Sequence, residues 1–245
     1  MKKDDFGNRM KEYENAYRHR LPRRLPVVLR IDGCHFHSFT RGMGKPFDEP
    51  LTLALWDTCK YLAGQIMGCK LVYHQSDEIS LLLTNDDQWT TQSWYDNNLQ
   101  KMVSVSASMA TAKFNEAIKK YYPDKELATF DSRAWVLPQG EVTNYFIWRQ
   151  QDAIRNSMSM TAQAHFPHQE LHGLDGKRLL DKLLADKGID WNELPVWQKR
   201  GVCITKQSYF KGEARRSKWD VDPDTPVFSQ DRDYIDQYVY SDRDE

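Results

Sequence analysis

Carboxylates stand at the ends of apolar runs in two segments of this chain. The first is Arg30-Ile31-Asp32-Gly33-Cys34-His35-Phe36-His37-Ser38-Phe39 and the second is Tyr73-His74-Gln75-Ser76-Asp77-Glu78-Ile79-Ser80. Both runs read as buried strands, and an acid at the tip of a buried strand is costly to dehydrate unless a cation neutralises it. Beside a nucleotide that cation is typically Mg²⁺, which takes one or two carboxylates and completes its shell with phosphate oxygens. The chemistry indicated is phosphoryl or nucleotidyl transfer, with Asp32 and Asp77 bridging two metal ions and Glu78 beside them. Gly33 would bring a backbone carbonyl close to an ion. The backbone N–H groups that follow it, from Cys34 through His35 and Phe36 to His37, can cradle a phosphate that His37 and Lys45 neutralise. Ser76 is a further hydrogen-bond donor near the acids. Taken singly, Ser-Asp-Glu is a polar hairpin turn and Asp-Gly a turn dipeptide. Their combination, in the order that follows, is what argues for a metal site.

The elements that must position these residues can be read from periodicity. Residues 4–20 form a polar amphipathic helix that stops at Leu21-Pro22, and 27–31 form a short aliphatic strand. Leu51, Leu55, Leu62 and Ile66 recur at helical spacing over 51–67, before Gly68. Residues 70–73 and 79–83 are two strands of a hairpin with the acidic pair at its turn. A helix over 100–122 carries Ser104, Ser106, Ala107, Ser108, Ala110 and Ala112, small enough to lie close on a sheet. Residues 130–137 supply another strand. The order strand, helix, strand, strand, helix, strand is the split βαβ, or ferredoxin-like, arrangement. Polymerase palm domains share it, with metal-binding acids at the end of the first strand and in the central hairpin. The expected fold is therefore α+β: a palm-type antiparallel sheet with packed helices. Helices over 141–165 and 175–187 and a strand over 201–206 are expected beside it. Residues 1–215 are read as one palm-type domain and 216–245 as a loosely ordered acidic tail.

Composition narrows the classes. The 245 residues are 40% hydrophobic and 28% charged with a net charge of −1, so no overall basic field advertises nucleic acid. Local clusters do exist: Arg18, Arg20, Arg23 and Arg24 early, and Lys199, Arg200, Lys206, Lys211, Arg215, Arg216 and Lys218 late. They are read either as phosphate-holding patches or as solvated faces. Cys34, Cys59, Cys69 and Cys203 are scattered without a Cys-x-x-Cys pair, which argues against a zinc ribbon or a disulfide framework and fits a reducing cytosol. The charged start lacks the apolar core of a signal peptide, and no run reaches membrane-spanning length. A soluble, cytoplasmic protein with no membrane partner is expected. His165, His168 and His172 are interrupted by Pro167 and lack a tetrahedral ligand set. The chain has neither a P-loop nor a Gly-x-Gly-x-x-Gly fingerprint. The stripe Trp148-Arg149-Gln150-Gln151-Asp152, with Arg155 and Asn156, is either an exposed helix face or a contact for RNA or a second triphosphate.

Several motifs together resemble the tRNA-His guanylyltransferase family, and more closely its bacterial and archaeal guanylyltransferase-like branch. They are Arg30-Ile31-Asp32-Gly33-x-x-Phe36-His37-x-Phe39, Lys45-Pro46-x-Asp48, Gln75-Ser76-Asp77-Glu78 and Phe130-Asp131-x-Arg133. Tyr145-Phe146-x-Trp148-Arg149-Gln150-x-Asp152 and Lys199-Arg200-Gly201 also fit, so the resemblance spans roughly residues 5 to 210. It implies a palm-fold enzyme that adds nucleotides to tRNA in the 3′-to-5′ direction. The 3′-hydroxyl of the incoming nucleotide attacks a 5′ end activated as a triphosphate or, with ATP, by adenylylation. It further implies that Asp32, the Gly33 carbonyl and Asp77 bind two Mg²⁺, with Glu78 in or just outside that shell. The segment from Gly33 to His37, with Lys45, then holds the triphosphate of GTP or another nucleoside triphosphate. Asp48, Arg133, Arg155, Asn156, Lys199 and Arg200 become candidates for contact with RNA or a second nucleotide, and a homotetramer is expected.

The chain departs from the family in three places. Position 34 is Cys where a basic residue is common. The eukaryotic motif His-Ile-Asn-Asn-Leu-Tyr-Asn is replaced by Ala153-Ile154-Arg155-Asn156-Ser157-Met158-Ser159. The acidic tail has no assigned counterpart. The second departure favours templated repair of truncated tRNA 5′ ends over non-templated guanylate addition to tRNA-His. Two other readings are a palm-fold nucleotide cyclase, against which the Gly-Gly-Asp-Glu-Phe type of hairpin is absent, and an idle RNA-binding module, against which Asp32 and Asp77 are intact.

Overall fold

The computed structural model describes residues 5–212 and 214–240. Helix α1 (Asp5–Ala16) buries none of its residues and leads into strand β1 (Val27–Cys34). A single turn, α2 (Phe36–Phe39), follows the strand directly. Helix α3 (Glu49–Gln65) starts where Asp48 caps it by accepting from the Leu51 N–H at 2.8 Å, with Pro50 in its first turn. Next come the hairpin β2 (Cys69–Gln75) and β3 (Glu78–Leu83), then α4 (Leu99–Ile118), capped by Asn98, and β4 (Thr129–Val136).

Strands β1 to β4 form the split βαβ core. Strand β2 reaches the sheet by way of α3 and pairs with β3 instead of β1, while β1 lies between β3 and β4 with both neighbours antiparallel. Both faces of β1, β2 and β3 are covered. Leu29, Ile31, Val72, Ile79 and Leu81 enter a cluster beneath α3 and α4. Val28, Leu71, Tyr73 and Leu82 enter a second cluster under α5 (Gln139–His165) with Val142, Tyr145 and Phe146. Two-sided burial is why these strands read as unbroken apolar runs without polar alternation. The small residues of α4 do let it lie close: Ser106 and Ala110 are buried, and the Ser106 hydroxyl donates to Ser132 of β4 at 2.8 Å.

The chain continues through α6 (His168–Leu171), α7 (Gly176–Lys187) and α8 (Val196–Arg200) to a second hairpin, β5 (Val202–Lys211) and β6 (Ala214–Asp222). This hairpin joins the free edge of β2, giving one sheet in the order β4-β1-β3-β2-β5-β6. Among the described residues no helix is long and apolar enough to cross a membrane.

One expectation is corrected here. The boundary at 215/216 falls inside the β5–β6 hairpin, and the residues after it are no loose tail. Phe228, Ile235 and Val239 are buried in the α5 cluster, the last two from the short helix α9 (Asp233–Asp236) and its exit. Gln150 ties the segment down by donating to the Pro226 carbonyl and accepting from the Phe228 N–H, both at 2.8 Å. The acidic composition concealed a few apolar anchors at spacing too wide for a periodic signal. Residues 241–245 lie outside the described residues. Replacing Phe228 with Ala removes a fully buried aromatic ring, and urea unfolding should show a loss of about 3–5 kcal/mol. An unchanged midpoint would mean that the segment does not pack on α5.

Candidate active site

The acidic ends of β1 and β3 meet at one end of the sheet. Asp32 pairs with Glu78 on one side and with Asp131 of β4 on the other. Directly opposed residues in an antiparallel pair share a face, so three carboxylates sit in a row on the α5 side. Asp77 occupies the β2–β3 turn beside them. Each acid has a different environment, and the differences sort their roles.

Glu78 is buried and held by Arg149 of α5 through two hydrogen bonds of 2.8 Å, one to each carboxylate oxygen. Arg149 also reaches Asp152 at 2.9 Å and stacks on Trp148, with its guanidinium carbon 4.4 Å from the ring centroid. Removing one member of such a pair would strand a buried charge at about 3–5 kcal/mol. Glu78 is expected in the metal shell or just outside it, and the structure pairs it with Arg149. Its charge is already satisfied, and it locks α5 to the acidic hairpin. The signal available in the sequence, an Arg on an amphipathic helix, did not say which acid it would meet.

Asp32 and Asp77 are half-buried and have no such partner. Burial raises the Asp32 carboxyl above its ordinary value, with Asp131 adding to the rise and Arg30 and Arg133 opposing it. Burial likewise raises Asp77, and the charge of Asp32 pushes it further. Two neighbouring carboxylates that both resist ionisation are the arrangement a divalent cation relieves. Among the described residues no group of three His, Cys, Asp or Glu forms a ready-made metal cage. The donors on offer are two carboxylates and the Gly33 carbonyl, a set that fits Mg²⁺ sharing its shell with phosphate oxygens.

A cavity of about 690 Å³ opens next to these acids. Gly33, His35, Phe36, His37, Lys45, Asp48, Ser76, Asp77 and Asn156, all singled out from the sequence, line it. Its far wall is aromatic: Trp197 of α8 lies edge-on to Phe47 and to Trp56 of α3, at centroid distances of 5.8 and 6.1 Å. That wall was not foreseen, because isolated aromatics far apart in sequence carry no spacing signal. Gly33 has a packing reason to be glycine as well. A Cβ there would fall 2.2 Å from the Phe36 ring, which folds back over the chain as α2 begins.

Other expected contacts lie elsewhere. Cys34 is outside the cavity, with its sulfur 4.0 Å from Asp131. Asp48 lines the cavity but is fully engaged: Tyr122 donates to it at 2.6 Å and the Gly44 N–H at 2.7 Å, in addition to its capping bond. Burial raises its carboxyl, and these bonds outweigh that effect and lower it. It shapes the Gly44–Asp48 loop, and its carboxylate is taken up in doing so. Arg133 sits on the outer edge strand 3.7 Å from Asp131, and Arg155 is paired with Asp152 at 3.1 Å. Lys199 donates to the Asn192 carbonyl, and Arg200 donates to the Thr225 carbonyl at 2.9 Å, where it helps anchor the C-terminal segment. None of these four lines the cavity.

Sheet order and acid placement define a protein of the polymerase-palm class. A family model described as tRNAHis guanylyltransferase matches residues 7–138. A bacterial tRNA(His) guanylyltransferase (Thg1)-like protein solved in complex with ATP superposes with a TM-score of 0.92 at 64% identity, covering 97% of this chain and 100% of that one. One solved in complex with GTP gives a TM-score of 0.84 at 60% identity over the same shares. The tRNA(His) guanylyltransferase of Candida glabrata is 28% identical over 74% of this chain and 82% of its own length. The chain belongs to the tRNAHis guanylyltransferase family.

His74 lies under the acidic turn, 4% exposed, and burial pushes its imidazole down to about 4. A histidine depressed below its free value of about 6.5 binds its proton in the unfolded chain first, so its contribution to stability is complete above that pH and lost on acidification towards 4. The loss should reach the order of 3 kcal/mol. Urea unfolding from pH 7 to 4 should show a shallower decline for His74→Gln than for the native chain. Parallel declines would remove His74 as the cause.

Proposed function

We propose that this protein adds nucleotides to tRNA 5′ ends in the 3′-to-5′ direction, with templated repair of truncated ends as its main activity. The observation that carries the reading is the single cavity that joins the Gly33–His37 turn, Lys45 and Asp77 to an aromatic wall. In this reading the triphosphate of an incoming nucleotide lies at the turn. Backbone N–H groups and the Lys45 ammonium meet its charge, and the base lies towards Phe47, Trp56 and Trp197. ATP serves in the same cavity for activation of a 5′-monophosphate. Family membership supports the choice of tRNA over other acceptors.

Asp32, Asp77 and the Gly33 carbonyl would hold Mg²⁺, which would screen the phosphates and make the attacking 3′-hydroxyl more acidic. The chain's own part is positional. The Gly33–Phe36 turn fixes the phosphate cradle, Asp48 and Tyr122 fix the loop that carries Lys45, and Glu78 with Arg149 fixes the hairpin that carries Asp77. The hydroxyl oxygen bonds to the α-phosphorus of the activated tRNA end as pyrophosphate or AMP leaves, according to how that end was activated. A cytoplasmic homotetramer, in which a second subunit extends the grip on tRNA, completes the proposal. Light scattering on the purified protein tests the assembly.

The deciding experiment offers 5′-labelled tRNA-His, either full length without its extra guanylate or lacking the first paired nucleotide, together with Mg²⁺, ATP and single nucleoside triphosphates. Extension of the truncated tRNA only by the nucleotide complementary to the opposing base is expected, with none in Asp77→Ala. Guanylate addition to full-length tRNA whatever the opposing base would replace repair with tRNA-His maturation, and activity in Asp77→Ala would sink the metal assignment. Lys45→Ala should raise KM for the triphosphate by about tenfold, as expected for one lost charge-assisted hydrogen bond. An unchanged KM would leave the phosphate cradle to the backbone alone.

A further inference from the structure

The hairpin carrying Asp77 turns on two residues, Ser76 and Asp77, between the paired Gln75 and Glu78. Two-residue hairpin loops place their first central residue at positive φ, where glycine is favoured. Here that residue is Ser76, at φ 53°. A serine gains nothing intrinsic from this conformation, so the surroundings must hold it.

Two side chains do so. His74 Nε2 lies 2.9 Å from the Ser76 carbonyl oxygen. A carbonyl can only accept, so Nε2 carries the proton and donates it. The Ser76 hydroxyl in turn donates to Asp77 Oδ1 at 3.0 Å. His74 is itself fixed. It pairs with Val202 at the start of β5, and Gly201, at φ 70°, approaches so closely that a Cβ there would fall 2.5 Å from the His74 carbonyl oxygen. The chain of contacts runs from the β5 edge through the imidazole and the Ser76 peptide to the Asp77 carboxylate.

We propose that His74 is a positioning residue that aims the Asp77 carboxylate by holding Ser76 in its left-handed conformation. The proposal rests on the reading of Asp77 as a metal ligand of a nucleotidyltransferase. His74 acts through the Ser76 carbonyl and makes no bond in the reaction. It takes a single buried N–H, delivered to one carbonyl, to keep the turn from relaxing.

The test compares His74→Met with His74→Gln in the full chain. The two side chains are similar in length and flexibility, and only glutamine can donate to the carbonyl. Hydrogen–deuterium exchange of the 74–79 amides, measured without metal or nucleotide, should be about tenfold faster in the Met variant, the equivalent of one lost hydrogen bond. The Gln variant should stay near the native rate. On truncated tRNA, kcat of the Met variant should fall by roughly tenfold to hundredfold with KM for the triphosphate unchanged, as for other residues that orient a metal ligand, and glutamine should restore it. Met and Gln variants that behave alike in exchange and in kcat overturn the proposal, whatever their common level. The functional reading fails separately, through activity in Asp77→Ala, and the exchange contrast does not depend on it.

Discussion

Dehydrating a carboxylate at the end of a strand buried on both faces is the constraint around which this structure is arranged. Strands β1 and β3 lie between two apolar layers, and both end in acids at the same rim. The molecule deals with each charge differently. Glu78 is given a bidentate guanidinium, and Asp48 a tyrosine hydroxyl with two backbone amides. Asp131 is left at the exposed edge near Arg133. Asp32 and Asp77 keep raised carboxyls with no neutralising side chain in contact, and Asp77 lines the cavity beside Gly33. Chemistry is proposed for them because Glu78 and Asp48 are committed to structure and Asp131 lies exposed at the sheet edge.

The compensating groups also tie the layers together. Arg149 reaches from α5 to the β2–β3 hairpin, and the next residue of the same helix, Gln150, holds the C-terminal segment. Tyr122, just beyond α4, steadies the loop before α3. One contact thus fixes α5 to the sheet, and another fixes the loop leading into α3 to the segment that follows α4. Directional contacts of this kind specify geometry more than they add net stability. The proposed cation site, with two carboxylates aimed at one ion, needs that specification.

The cavity combines two surfaces of different origin. The Gly33–His37 turn and the loop carrying Lys45 come from the first strand and the entry to α3, close together in sequence. The aromatic wall draws Trp197 from a short helix more than a hundred residues away from Phe47 and Trp56. Packing of α8 against α5 brings that tryptophan into place. A cavity lined by both polar and aromatic groups is thereby assembled from parts of the chain that share no local signal.

The palm order of strands and helices was legible in the sequence, because apolar runs, helical spacing and the Ser-Asp-Glu turn are local features. Residue type and motif order also mark Asp32, Gly33, Lys45 and Asp77 as candidates for metal and phosphate chemistry, and folding brings Gly33, Lys45 and Asp77 to one cavity. The sequence could not say that Glu78 belongs to Arg149, that Asp48 is consumed in capping, or that Arg133, Arg155, Lys199 and Arg200 do not line the cavity. Those facts depend on which charges meet across separate elements. Nor could it show that the acidic C-terminal stretch is anchored by Phe228, Ile235 and Val239, since net charge outweighs a few spaced apolar residues in any composition measure. Local chemistry fixed which groups can bind a nucleotide and a cation. The tertiary structure decided which of them remain free to do so, because desolvation energy depends on every neighbour and not on sequence spacing alone.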